Sequence, residues 1–185
     1  TDESGIYVYG DDPEGNYSNK GAAWERITHF EYFEEDGTLG YAQNARARIH
    51  GGGTRHSTRK NLRLYGETGD VNNFKYPFFD NTVIDKFKRI LIRAGGHRPD
   101  CFPRDDLANY FTEGLHADQQ HFKHIILFIN GEYWGIHAIK ERVDKYFLQN
   151  QFGIDDDEIT ILDQEYDVQD GHAVDSLEMA ILENF

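Results

Sequence analysis

Asn130-Gly131 stands between two apolar runs, residues 125–129 and 133–136, inside the string Phe-Ile-Asn-Gly-Glu-Tyr-Trp-Gly-Ile-His that ends at His137. Both central residues of a tight type I′ turn need positive φ, and Asn-Gly is the pair that meets this demand at least cost. The run therefore has to double back on itself as a buried β-hairpin over about residues 124–140. A turn does not need Glu-Tyr-Trp-Gly after it, so the string is more specific than its geometry requires.

The remaining chain favours more strands. Residues 24–33 alternate, with Ile27, His29, Glu31 and Phe33 on one side and Thr28, Phe30 and Tyr32 on the other. Glu34-Glu35-Asp36-Gly37 makes a turn, and residues 38–49 return as a strand in which Ala45, Ala47 and Ile49 oppose Arg46 and Arg48. Residues 5–9, 61–65, 87–93 and 159–162 are read as further strands, and residues 10–22 as a loop. Pro103 followed by Asp105 and Asp106 marks a helix start, with the acids at the positive end of its dipole. Leu107, Tyr110, Phe111 and Leu115 keep helical spacing to about residue 116. Val143, Tyr146, Phe147 and Gln151 suit a second helix closed by Gly153. Val174, Leu177, Ile181 and Phe185 suit a third. The aromatic run 74–79 covers the core. The expected class is α+β, an antiparallel sheet of five or more strands with helices to one side.

Composition bounds the function. The 185 residues carry 13 Phe, 11 Tyr and 2 Trp, enough to build a core. No stretch of 18 apolar residues exists, so no membrane span is expected. The lone Cys101 excludes an internal disulfide and a multi-cysteine metal site. A net charge of −14 argues against nucleic-acid partners. That charge is segregated: residues 46–104 hold 13 of the 19 basic residues against five acids, while residues 146–185 hold 11 acids and no Lys or Arg. The basic middle leaves room for a local anion site; equally, the two regions can neutralise each other.

Few motifs announce chemistry. Gly51-Gly52-Gly53 with Arg55, Arg59 and Lys60 offers backbone N–H groups and cations that can cradle phosphate, or a simple flexible turn. It lacks the Gly-Lys-Ser/Thr tail of a Walker loop. Arg48, Arg63 and Arg93 fall on strands with apolar neighbours, where arginine pairs with carboxylates or with a ligand phosphate. His116, His121 and His124 read as polar surface histidines, and residues 155–158 as a solvated link. Glu141 reads as a surface ion pair with Lys140 or Arg142, and Asp144 as helix N-terminal charge.

Several ordered segments together resemble the CotH kinase-like family: GIYVYG at 5–10, WERITHFEYFEEDG at 24–37 and ARIHGGGTRHSTRKNLRLY at 47–65. The resemblance continues through FKYPFF at 74–79, FKRILIRAGGHRPD at 87–100, PRDDL at 103–107 and FINGEYWGIHAIKERVDKYFL at 128–148. It implies a fold resembling the N-lobe of an atypical protein kinase. It also implies transfer of the ATP γ-phosphate to Ser or Thr of a protein substrate, with Mg or Mn.

On that resemblance Lys60, with Arg59, Arg48 and Glu141, is the nucleotide-phosphate-binding set. No catalytic or metal-binding residue is assigned, because the family's Asn-x-Asp…Asn and Trp-Asp-x-Asp stretches are absent from residues 1–185. The expectation is one domain over 1–185, the N-terminal lobe of a larger protein truncated after Phe185 and inactive without its C-terminal half. The source expected is bacterial, with an extracellular or cell-surface location after signal-peptide removal, or a cytoplasmic one. The alternative function is a non-catalytic surface module for protein or glycan binding on the same frame.

Overall fold

In the computed structural model the described residues are Tyr17, 19–57, 59–66, 73–80, 82–95, 103–112, 114–115, 118–162 and 168–170. The expected strand at 5–9 and the helix from 174 lie outside them. The chain divides into two compact units, Thr1–Glu141 and Arg142–Phe185.

The first unit is built on six antiparallel strands: β1 (Arg26–Phe33), β2 (Leu39–Ile49), β3 (Leu62–Tyr65), β6 (Arg89–Arg93), β7 (Phe122–Ile129) and β8 (Glu132–Glu141). Their order across the sheet is β1-β2-β3-β6-β8-β7. Two short strands, β4 (Phe74–Lys75) and β5 (Lys86–Phe87), pair separately, and helix α1 (Arg104–Phe111) follows β6. The class is α+β. The Asn-Gly turn joins β7 to β8, with Asn130 at φ 51° and Gly131 at φ 82°, as the sequence requires.

Register sorts the side chains, because residues directly opposite in an antiparallel pair share a face. Ala45, Leu64, Ile90, Ile92 and Ile139 share one face with Phe30 and Tyr32. Onto this face folds the aromatic segment, whose Phe74, Phe78, Phe79 and Phe87 are buried in the same cluster. Phe78 is the hub: its ring lies 5.1–6.5 Å from those of Phe30, Tyr32, Tyr41, Phe74, Tyr76, Phe79 and Phe87. The segment is thus core itself, not a cover. Phe87 leaves the expected 87–93 strand for the same reason: it pairs with Phe74 in the small ladder, and the main sheet resumes at Arg89.

Two expectations about apolar faces fail. The hairpin buries only one face: Ile125 and Leu127 pack on the core, while Ile126, Phe128, Tyr133 and Ile136 are exposed. Helix α1 ends at Phe111, where the Thr112 hydroxyl donates to the Ala108 and Asn109 carbonyls. Its helically spaced Leu107, Tyr110 and Phe111 are exposed, and the residue it buries is Asp106.

The second unit holds helix α2 (Lys145–Phe152) and a short antiparallel pair of β9 (Ile161–Leu162) with β10 (Val168–Asp170). Asp144 is the N-cap of α2, accepting from the Tyr146 and Phe147 backbone N–H groups, and Gly153 closes it in the left-handed conformation.

Deleting the hub ring should cost most. Phe78→Ala is expected to lower unfolding free energy by roughly 3–5 kcal/mol, and Phe128→Ala on the exposed hairpin face by less than about 1 kcal/mol, in urea titrations. Equal losses would contradict this assignment of the core.

Candidate functional site

The opposite face of the sheet is cationic. Cross-strand pairing aligns Arg48 with Arg63, Arg46 with Tyr65, and Tyr65 with Arg89. It then aligns Arg63 with Leu91, Leu91 with Lys140, and Arg93 with Ala138. Arginines at alternate positions of three strands therefore emerge on one surface, separated from the aromatic core by the thickness of the pleat.

Tyr65 is the centre of its β2–β3–β6 half. The guanidinium carbons of Arg46, Arg48 and Arg89 lie 5.9, 5.2 and 5.6 Å from its ring centroid, and its hydroxyl accepts from Arg63 Nη1 at 3.2 Å. Glu25 reaches in from the turn before β1 and bridges Arg46 at 3.3 Å and Arg48 at 3.6 Å.

Helix α1 occupies the β6–β8 half. Its buried Asp106 forms an ion pair with the buried Lys140 of β8 and sits 3.0 Å from His124 Nε2 of β7, which donates to it. Arg93 meets Asp105 at 3.3 Å. Arg93, Asp105, Asp106 and Lys140, with Gly95 and Pro103, line a small cleft. Asp106 and Lys140 are each 3 % exposed, so each charge depends on the other.

The glycine-rich segment joins β2 to β3 and is held by its own cations. Gly51 sits at φ 112°, and a side chain there would strike the Thr54 hydroxyl, so only glycine serves. Arg55 is buried and donates to the carbonyls of Ile49, Gly51 and Asn19. Lys60 is buried too; its ammonium donates to the Arg55 carbonyl at 2.9 Å and lies 4.3 Å from the Tyr17 ring centroid. Burial holds the Lys60 pKa below that of an ordinary lysine. Arg59 donates across to the Ile136 carbonyl of β8. Close by, His137 is completely buried, which pushes its pKa down and favours the neutral ring.

The four residues expected to bind phosphate thus occupy different settings. Arg48 lies on the cationic face. Lys60 and Arg59 fasten the glycine turn through main-chain carbonyls. Glu141 is not the surface ion pair expected of it: it is 2 % exposed, on the aromatic side, and its Oε2 accepts the His121 backbone N–H at 3.0 Å and lies 2.7 Å from His121 Nδ1. Strand parity marked the alternating arginines, but Asp106, Lys140 and Tyr65 were missed as partners. Asp106 carries no sequence signal apart from that of an acid in a helix's first turn.

The family model described as CotH kinase protein matches residues 47–179, well over half of the chain. The chain belongs to the CotH kinase protein family. No curated protein and no solved structure gives a significant match. The CotH match begins inside β2 and takes in Arg48, the glycine turn, Arg63, Arg93, Asp106 and Lys140.

Two outcomes follow. Asp106→Ala strands the Lys140 charge and is expected to cost roughly 3–5 kcal/mol, while the double replacement Asp106→Leu with Lys140→Met recovers most of it, read by urea unfolding. A double variant no better than the single would contradict the pairing.

Burial raises the Glu141 pKa, against the His121 hydrogen bonds that lower it. The folded protein therefore keeps that proton to higher pH than the unfolded chain. Its contribution to stability is complete below the unfolded value near 4.5 and is lost as pH rises through the folded value. Relative to Glu141→Gln, the wild type should lose stability as pH is raised above 4.5. A relative gain would contradict the assignment.

Proposed function

We propose that this chain is the nucleotide-binding, N-terminal part of a CotH-type protein phosphotransferase, resembling a kinase N-lobe, and that its arginine face receives the phosphates. The observation that carries the reading is the Lys140–Asp106 pair. In protein kinases a strand lysine contacts the nucleotide phosphates and is held by a carboxylate from the helix packed beside the sheet. Here a strand, a helix and a hairpin follow in the order β6, α1, β7–β8, and the helix carboxylate meets a strand lysine on the cationic side.

ATP would supply the phosphoryl group, and the cations present suit a polyphosphate. Arg48 and Arg93 flank the region on β2 and β6, and the glycine turn with Arg59 and Lys60 closes the β2–β3 end. The bond from Lys60 to the Arg55 carbonyl supports a holding role, in which Lys60 shapes the turn that meets the phosphates. Glu141, on the other side of the sheet, fixes the end of β8 through His121.

The described residues contain no group of three His, Cys, Asp or Glu side chains suited to a metal, so no metal ligand is assigned to them. Transfer also needs a base and metal-holding carboxylates. The family's two aspartate stretches are absent from these residues, and turnover by residues 1–185 alone is not expected. Protein substrates, the rest of the polypeptide and a bacterial surface location belong to the same proposal.

The test is transfer of labelled phosphate from ATP, with Mg²⁺ or Mn²⁺, by a chain extended through the downstream half. Transfer is expected there, and loss of at least a hundredfold in the folded Asp106→Leu/Lys140→Met variant. Lys60→Ala should lower the melting temperature while leaving ATP affinity of the folded variant nearly unchanged. Absence of transfer from a well-folded extended chain would overturn the reading in favour of a non-catalytic binding module.

A further inference from the structure

Two histidines bracket the glycine-rich segment between β2 and β3. His50, half-buried, leads into it from β2. The fully buried His137 of β8 lies against the main chain of Lys60, where the segment ends. At the entry, Arg63 Nη2 donates to His50 Nδ1 at 2.7 Å. A guanidinium can only donate, so Nδ1 is the unprotonated ring nitrogen and His50 is neutral. At the exit, His137 Nδ1 lies 3.3 Å from the Gly135 carbonyl. A carbonyl can only accept, so Nδ1 carries the hydrogen and Nε2 is the nitrogen that would take a further proton. That Nε2 is buried and makes no well-formed hydrogen bond.

Both rings face cations. Arg63 of β3 meets His50, and Arg48, two residues earlier on β2 and directly opposite Arg63, shares that face. The carboxylate at this end, Glu25, bridges Arg46 and Arg48. Arg59 of the segment acts on His137, and its guanidinium donates to the carbonyl of the preceding residue, Ile136. Further along β8, Glu141 is engaged with His121 and Lys140 with Asp106. A proton on His50 would turn the Arg63 hydrogen bond into a contact between two cations. One on His137 would bury a charge beside Arg59.

We propose that His50 and His137 form an acid-sensitive latch on the glycine-rich segment: their protonation releases it from β3 at its entry and from β8 at its exit, while the six-stranded sheet stays folded. The bonds at risk are Arg63 to His50 and, beside His137, Arg59 to Ile136. Inside the segment, Arg55 donates to the Gly51 carbonyl and Lys60 to the Arg55 carbonyl, bonds in which no histidine takes part. Burial pushes the His137 pKa below the ordinary 6.5, and Arg59 adds to this against the Gly135 and Lys60 main-chain contacts. A released ring therefore takes up a proton more readily than the latched one. What neutral His137 contributes is complete above 6.5 and is lost as pH falls below that value toward its folded pKa. The latch stands or falls independently of the nucleotide reading.

The experiment is amide hydrogen exchange of the 185-residue chain, followed in peptides over residues 50–61 and over β6, with intrinsic rates corrected for pH. Between pH about 7.5 and about 5.5, protection of the segment should fall by about tenfold or more while that of β6 holds. His50→Gln and His137→Phe should each keep part of that fall, and the double variant should show little of it. Circular dichroism establishes that the variants are folded, and His137→Gln replaces His137→Phe if the latter is not. Imidazole resonances of the wild type give a readout that needs no variant: His137 should titrate below 6.5. Protection that does not change with pH, or that falls equally in β6, would overturn the latch. So would a folded double variant that responds like the wild type, a response carried wholly by one histidine, or a His137 ring that titrates at or above 6.5.

Discussion

The pleat of the six-stranded sheet is the constraint on which the remaining structure depends. Because successive side chains alternate between faces, a strand such as β2 places Ala45, Ala47 and Ile49 on the core and Arg46 and Arg48 away from it without any further device. Antiparallel pairing then carries the same division across β3, β6 and β8. A slip of one residue in any ladder would drive arginine into the Phe78 cluster and expose leucine on the cationic side. The aromatic core therefore enforces the register that assembles the arginines, and the proposed site inherits its geometry from packing on the far side of the sheet.

Two kinds of neutralisation make such a face tolerable. Carboxylates meet the cations at its edges: Glu25 before β1, and Asp105 and Asp106 in the first turn of α1. Aromatic and main-chain groups serve the interior, where Tyr65 receives three guanidiniums around its ring and Arg55 gathers carbonyls. The arrangement leaves the β2–β3 end richest in positive charge. The acidic surplus of the whole chain does not contradict this, since charges separated by more than about 10 Å are largely screened at ordinary salt.

Much of this was legible in the residues, and the illegible part has a common cause. Asn130-Gly131, the Asp36-Gly37 turn, the Asp144 cap and the Gly153 stop are local signals, and local geometry obeyed them. The arginine alternation in β2 was equally plain. What could not be read was which partner each polar group would meet, since that depends on strand order. Glu141 looked like a surface ion pair and is buried on His121; Asp106 looked like dipole charge and is the buried partner of Lys140. The helical spacing of Leu107, Tyr110 and Phe111 promised a buried stripe, yet the helix docks through its acid. Similarly, the glycine turn suggested phosphate contacts from Lys60, but not the bond that its ammonium donates to the Arg55 carbonyl. The family was recognisable because its signature combines several such local strings in fixed order.

The central claim of the proposal is that the arginine face of the sheet is where phosphate binds. A crystal structure of the chain with a non-hydrolysable ATP analogue tests it most directly. The account predicts phosphate oxygens on the arginine face, within hydrogen-bond distance of Arg48 or Arg93. An analogue bound away from that face would contradict it.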